Sequence, residues 1–234
     1  MTNPIVDIII PAFNEELSIH SVVSDVTHSF VRHIIVVSNG STDRTPEKAL
    51  AAGAVVLHEN RRGYGYACLE GMRWAADQQP PADIIVFMDG DYSDYASEMP
   101  ALIAPIVNDR ADLVIGSRAL GNRERGSMTM PQVFGNWLAT RMIRLIYGFR
   151  FTDLGPYRAI RFSSLRNLGM GDTTYGWTVE MQVKALRKNL RCTEIPVNYR
   201  KRIGVSKVSG TVKGTVMAGY KIIATILRYS LTRS

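Results

Sequence analysis

The chain has 234 residues, 46% of them hydrophobic and 21% charged, which is enough apolar content for one substantial core and excludes a disordered segment. Lys plus Arg number 28 against 21 Asp plus Glu, giving +7 and a sequence pI near 9.5; this favours anionic partners such as phosphates, nucleic acid or membrane surfaces without choosing among them. The two cysteines, Cys68 and Cys192, stand far apart, so neither a disulfide framework nor a zinc site is supported and a reducing compartment is expected.

Residues Met1 to Pro4 lead straight into an apolar run without the order of a secretion signal, so a cytoplasmic location is expected. Apolar runs bounded by turn residues recur at 6–10, 34–37, 54–57, 84–88 and 113–115. Near-continuous hydrophobicity predicts strands buried on both faces. Between them lie helix patterns at 15–30, 45–52, 64–77 and 97–108. The alternation predicts a single α/β domain with a mostly parallel central sheet flanked by helices. After Ser117 the rhythm changes to a Gly- and Arg-rich stretch at 120–126, a helix at 132–147, a segment at 151–161 and a helix at 177–188. The expected organisation is one unit over 1–210, with a boundary near 118, followed by a helix over 211–234. In that last helix Val212, Val216, Gly219, Ile223 and Ile226 share one face and Lys213, Lys221 and Arg228 the other. Its basic residues interrupt the apolar run, so it falls short of the roughly 20 residues needed to span a bilayer. It reads equally as a helix on a membrane surface or one packed on the domain.

In open α/β sheets ligands bind beyond the carboxyl ends of the strands, and here four such ends carry polar groups. They are Pro11-Ala12-Phe13-Asn14-Glu15-Glu16, Ser38-Asn39-Gly40-Ser41-Thr42-Asp43, Asp89-Gly90-Asp91 and Gly116-Ser117-Arg118. In extended backbone Asp89 and Asp91 point to the same side and suit one hard cation, although Asp-Gly-Asp is also ordinary turn chemistry. Ser41 to Asp43 contain helix-capping chemistry as well.

In this order and spacing the strand ends resemble family 2 glycosyltransferases of the GT-A fold, and more closely their dolichyl-phosphate mannose synthase-like branch. The resemblance also rests on Arg62-Gly63-Tyr64-Gly65, Thr152-Asp153-Leu154-Gly155-Pro156-Tyr157-Arg158 and Arg202-Ile203-Gly204-Val205-Ser206-Lys207. It implies an inverting, metal-dependent hexosyltransferase using a UDP- or GDP-linked sugar, with residues 1–118 binding the donor and 119–210 the acceptor. Pro11, Asn14 and Glu15 would lie near the nucleotide, with Ala12, Asn39, Ser41, Asp43, Gly63 and Gly90 completing the donor-binding set. Asp89 and Asp91 would hold Mg²⁺ or Mn²⁺ against the diphosphate. Such ions take one or two carboxylates plus substrate phosphates, which is what the pair offers. Arg118, Arg202, Ser206 and Lys207 would meet phosphate groups, the last three on a clamping loop. Asp91, Arg118 and Glu180 are the expected catalytic set, Glu180 as a general base, although a charge at a helix start explains it as well. Asp94 reads as a further ligand or as a helix-initiating residue.

Two departures from the family pattern stand out. Ser38-Asn39 replaces paired acids, which leaves the nucleobase open. Gln132 and Asn136 stand where relatives using lipid phosphates tend to place Arg and Ser, so a polyprenyl phosphate competes with a hydroxyl acceptor. The implied partners are thus a nucleotide sugar, an acceptor and, through 211–234, the inner face of a membrane; a homo-oligomer is compatible. Gly63 to Cys68 lacks the third glycine of a dinucleotide-binding loop. A sugar nucleotidyltransferase would need an early glycine-rich loop, and none stands at 11–16. A basic binding module is the non-enzymatic alternative, but no RNA motif or recognition helix is visible, so nucleic acid is not an expected partner.

Overall fold

The computed structural model describes residues 3–204 and 212–231, with side chains in the last segment from Val216 onward. The elements in chain order are β1 (Val6–Ala12), α1 (Ile19–Ser24), β2 (Val31–Ser38), α2 (Thr45–Ala51), β3 (Val55–His58), α3 (Tyr64–Ala76) and β4 (Ile84–Phe87). A single 3-10 turn (Ala96–Glu98) leads into α4 (Met99–Val107), then β5 (Leu113–Ser117), α5 (Met130–Tyr147) and β6 (Arg158–Arg161). The chain continues through α6 (Phe162–Leu168), α7 (Trp177–Arg187), β7 (Cys192–Pro196) and α8 (Val212–Leu231).

The seven strands form one sheet in the order β3-β2-β1-β4-β6-β5-β7. All pairings are parallel except those of β6, which runs against both β4 and β5. Alternate residues face opposite sides, so each strand feeds two apolar layers. Ile9, Ile35, Val37, Ile85, Phe87, Leu113 and Ile115 join Cys68, Ile143, Leu165, Trp177 and Met181 on one face. Ile8, Ile10, Val36, Ile84, Val86 and Val114 join Val22, Ala49, Leu102 and Ile106 on the other.

Most of the expected elements form, with one large difference. The helix pattern at 15–30 yields only Ile19–Ser24. Asn14 takes a left-handed conformation (φ 54°). The amides that follow are held by the neighbouring strand end instead of a helix: Glu15 N–H donates to Thr45 Oγ1 (2.8 Å) and Glu16 N–H to Asp43 Oδ2 (3.2 Å). At the far end Val31 N–H returns to His28 O (3.0 Å), a turn that starts β2 early.

Register positions the site. Ala12 pairs with Ser38 and Ile9 with Phe87, so the segments after β1, β2 and β4 leave the sheet along one edge. Because β6 is antiparallel and Arg158 pairs with Phe87, the turn before β6 lies beside the end of β4. Residues 152–157 thereby reach the same edge. Helix α8 packs against α5 and α7: Ile226 is buried, Tyr147 Oη donates to Ile226 O (2.9 Å), and Lys221 pairs with Asp172 (3.1 Å). Of the expected apolar face of this helix, Gly219 and Ile226 turn inward together with Ala218 and Ile222, whereas Val216 is 63% exposed. No helix among the described residues is long and apolar enough to cross a membrane.

Candidate active site

A cleft of about 350 Å³ opens at the carboxyl edge, lined by Pro11, Ala12, Phe13, Glu15, Asn39, Arg62, Gly63, Tyr64, Asp89, Gly90, Asp91, Tyr175 and Arg202. Its walls are fixed by bonds between loops. Asn39 donates from Nδ2 to Glu59 O (3.2 Å) and Arg61 O (2.6 Å) and accepts from Gly63 N–H (2.7 Å). Two carbonyl acceptors require an amide, so an aspartate at this position would leave both unsatisfied. The departure from paired acids thus has a structural reason.

Asp89 and Asp91 line the cleft and Asp94 lies buried behind them. Asp91 Oδ1 accepts from Ser93 N–H (3.0 Å) and from the Ser93 hydroxyl (2.5 Å), while Asp94 Oδ2 accepts from Asp89 N–H (3.1 Å). Burial, with the Asp91 charge beside it, pushes the Asp89 carboxyl up to about 7; burial and the same two carboxylates raise Asp94 well above the usual range. Asp94 Oδ1 is buried without a hydrogen-bond partner among the described residues. Arg202 spans the site from far along the chain, with Nη2 3.1 Å from Asp91 Oδ2 and 3.2 Å from Glu15 Oε1. Its Nε is also buried, with no hydrogen-bond partner among the described residues. The strap carrying it is tied down by Ile203 N–H to Asp91 O (2.9 Å) and by Arg200, which stacks on Tyr92 (3.4 Å to the ring centroid).

The acidic pair fits a small hard divalent cation. Crowded buried carboxylates with an orphaned oxygen nearby gain from a positive charge, and two carboxylates leave coordination positions for phosphate oxygens and water. No cluster of three or more His, Cys, Asp or Glu arranged to hold an ion occurs among the described residues.

A second cavity of about 300 Å³ adjoins the cleft and shares Tyr64, Asp89 and Tyr175 with it. Its other walls are largely apolar: Met128, Pro131, Leu154, Pro156 and Trp177, with Ala218, Gly219 and Ile222 from α8. Arg118 supplies its cation. The guanidinium is held in a two-pronged pair with Asp153 (both bonds 2.8 Å), and Arg118 N–H also donates to Asp153 Oδ2 (2.8 Å). Burial opposes the Arg118 charge, but the Asp153 carboxylate outweighs it and raises the pKa.

The expected residues therefore separate. Pro11, Ala12, Glu15, Asn39, Gly63, Asp89, Gly90, Asp91 and Arg202 line the cleft, and Arg118 lines the adjoining cavity. Asn14, Ser41 and Asp43 stand behind the wall. Asn14 N–H donates to Ser41 Oγ (3.1 Å), Thr42 N–H donates to Asn14 Oδ1 (2.8 Å), and Asp43 caps α2 through Thr45 N–H (3.0 Å). Glu180 is not brought to either cavity. It is 1% exposed, accepts from the amides of Gly171 (3.1 Å) and Asp172 (2.7 Å) and from Tyr229 Oη (2.7 Å), and pairs with Lys184 (2.8 Å). Ser206 and Lys207 lie outside the described residues. Gln132 lines the second cavity while closing a capping box with Thr129, and Asn136 is engaged with the backbone of Thr152 (3.0 Å) and Leu154 (2.8 Å).

Phe13, Arg62, Tyr64, Tyr175 and Asp153 were not singled out from the sequence. All but Phe13 and Tyr175 flank or belong to glycine-containing motifs already visible there, and Arg62 stacks on Phe13 (3.9 Å to the ring centroid). Gly63 also serves packing: it sits at φ 149°, and a Cβ there would run into the Thr173 carbonyl.

This architecture, a mostly parallel sheet with an acidic pair at its carboxyl edge and two adjoining cavities, is that of GT-A-type glycosyltransferases. The sequence agrees, since the model for glycosyl transferase family 2 matches residues 7–169. The chain belongs to that family and is a glycosyltransferase. It is 32% identical over 221 residues to an uncharacterised glycosyltransferase of Mycobacterium tuberculosis, covering 93% of this chain and 96% of that one. It is 29% identical over 218 residues to the undecaprenyl-phosphate mannosyltransferase of Micrococcus luteus (88% of each chain), and 29% identical over 228 residues to the dolichyl-phosphate hexose transferase of Haloferax volcanii (96% and 95%). Among solved structures, glucosyl-3-phosphoglycerate synthase from M. tuberculosis, crystallised with Mn²⁺, UDP and phosphoglyceric acid, shares the fold at a TM-score of 0.76 and 22% identity, over 99% of this chain and 80% of that one.

Proposed function

We propose that the chain transfers a hexose from a nucleoside-diphosphate sugar in the Asp89–Asp91 cleft to a polyprenyl phosphate in the adjoining cavity. The observation that carries this reading is the junction of the two spaces at Tyr64, Asp89 and Tyr175, with the acidic pair on one side and an apolar cavity ending at Arg118 on the other. Asp89 and Asp91 would hold Mg²⁺ or Mn²⁺, and the ion would supply positive charge against the diphosphate. Arg202, whose Nε has no hydrogen-bond partner among the described residues, turns to the diphosphate, and Glu15 orients it. Arg118, fixed by Asp153, meets the acceptor phosphate and keeps its fork rigid.

A phosphate acceptor is already anionic and needs no strong base. This agrees with the burial of Glu180 among backbone amides, where it anchors residues 171–172 in place of removing a proton. The acceptor's chain suits the apolar walls from α5 and α8, and two relatives carry a polyprenyl-phosphate activity in their names. Docking on the inner face of the membrane follows from such an acceptor.

The test pairs a thermal-shift panel of UDP, GDP and their sugars, with and without Mn²⁺, with a transfer assay on undecaprenyl phosphate. A metal-dependent rise in Tm for one nucleotide and release of nucleoside diphosphate support the reading. Transfer only to hydroxyl acceptors overturns the acceptor assignment, and release of pyrophosphate from a nucleoside triphosphate overturns the reaction class.

A further inference from the structure

A third cavity of about 320 Å³ borders the acceptor space, sharing Met128 and Asn136 with it, and its remaining walls play no part in the reaction described above. Its walls include four arginines, Arg123, Arg141, Arg144 and Arg150, together with Trp137 and Thr152. Several arginines elsewhere are matched to acids: Arg32 to Asp7, Arg118 to Asp153, Arg161 and Arg191 to Asp109 and Asp112. Here the exposed side chains of Arg141, Arg144 and Arg150 have no hydrogen-bond or ion-pair partner among the described residues, and that of Arg123 reaches only Met128 Sδ (3.4 Å). The one carboxylate in the lining, Asp153, is already taken by Arg118. No acidic residue occurs anywhere in α5. Concentrating like charges in one concavity without a counterion raises the local potential and attracts anions.

We propose that this cavity binds a phosphate mono- or diester, at a site separate from the donor diphosphate. Guanidinium forks suit phosphate oxygens, and Arg141 and Arg144 approach from one helix while Arg150 approaches from the chain beyond its left-handed cap at Gly148. The outward face of α5 bears on the source of the phosphate. Met130, Phe134, Trp137 and Leu145 fall on one helical stripe with Arg141 and Arg144 between them, and are 81%, 61%, 55% and 80% exposed. An aromatic and aliphatic stripe interrupted by arginines matches the boundary between the headgroups and acyl chains of an anionic bilayer. A phospholipid headgroup in the cavity would set the stripe into that boundary. A soluble phosphoester would use the same forks without it.

The experiment uses the full chain and two probes: phosphatidylcholine vesicles with or without phosphatidylglycerol, read by co-sedimentation, and glycerol phosphate, read by thermal shift. The cavity variant is Arg141→Gln/Arg144→Gln/Arg150→Gln. Its control, Arg110→Gln/Arg166→Gln/Lys188→Gln, removes the same charge from remote surfaces. Partition to phosphatidylglycerol vesicles is expected to fall on the order of 100-fold in the cavity variant and about twofold at most in the control. That loss, without a glycerol phosphate shift in the parent chain, identifies a lipid headgroup. A glycerol phosphate shift lost only in the cavity variant, with no preference for phosphatidylglycerol, identifies a soluble phosphoester. Equal losses in the two variants, no loss in the cavity variant, or no response of the parent chain to either probe overturns the proposal. Metal-dependent nucleotide binding, measured on the same samples, reports folding and the donor site independently, so failure here leaves the reading of that site untouched.

Discussion

The Asp89–Asp91 cleft and the cavity adjoining it are built by different means. The cleft stands on strand ends whose register is set by the parallel sheet, and its groups are clasped by neighbouring loops, as Asn39 clasps residues 59–63. The adjoining cavity is walled mainly by α5, α7 and α8, helices brought together from distant parts of the chain and leaving large apolar side chains in solvent. The comparison teaches that fixed charges and apolar walls are assembled separately here, meeting only near Asp89, Tyr64 and Tyr175.

The most severe way to break that division is Asp91→Ala. Loss of the cation site should lower kcat on the order of 10³-fold and abolish the metal-dependent nucleotide shift, with the fold intact by circular dichroism. Undiminished turnover would show that the acidic pair is only a turn.

Next is Asp153→Asn, which strands the buried Arg118 charge. A cost of about 3–5 kcal/mol in urea unfolding is expected, because removing one partner of a buried pair leaves the other uncompensated. A loss under 1 kcal/mol would mean that Arg118 is solvated from the acceptor side and that the pair does not organise it.

Gly63→Ala tests whether the two sides are coupled through packing. Its positive φ and the Thr173 carbonyl should make the change cost about 1–3 kcal/mol, whereas Gly135→Ala, mid-helix with open space, should stabilise by about 0.5–1 kcal/mol. Equal effects would refute the close approach of α3 to residues 172–174.

The smallest expected effects concern pH. Hydrogen bonds from Arg191 hold the Asp112 carboxyl down at about 2, so its stabilisation is present above the ordinary carboxylate range and is lost as pH falls from about 4 toward 2. Allowing for solvent screening it is worth about 1 kcal/mol and should vanish in Asp112→Asn. Asp89 has the opposite sign. Its raised pKa means that ionisation is disfavoured in the folded state, so with chelator present the fold gains stability as pH drops from about 7 toward the ordinary carboxylate range. Denaturant midpoints of Asp89→Asn and the parent chain at pH 8 and pH 5 check this, the variant being the more stable only at pH 8.

Much of this was legible in the chain. The five apolar runs became β1 to β5, and the polar ends they carry reached one edge because parallel strands all exit the same way. Short strands with mixed composition were not legible: Arg158–Arg161 holds two apolar residues between arginines, and only its pairing between β4 and β5 makes it a strand. The span of α1 was overestimated because nothing local announces that Thr45 and Asp43 will take the amides of residues 15 and 16.

The sequence by itself determined the alternating α/β order, the strand-end acids, the excess of positive charge and membership of a glycosyltransferase family, since these follow from periodicity and from residues adjacent along the chain. Tertiary structure alone decided that Arg202 reaches Asp91, that Glu180 is an anchor among amides, that Asn39 is spent on two carbonyls, and that four arginines share a cavity whose one acid is paired elsewhere. These relations join residues tens to nearly two hundred positions apart or depend on which neighbours fail to arrive, and hydrogen bonding and charge pairing at such separations exist only once the sheet and helices have packed.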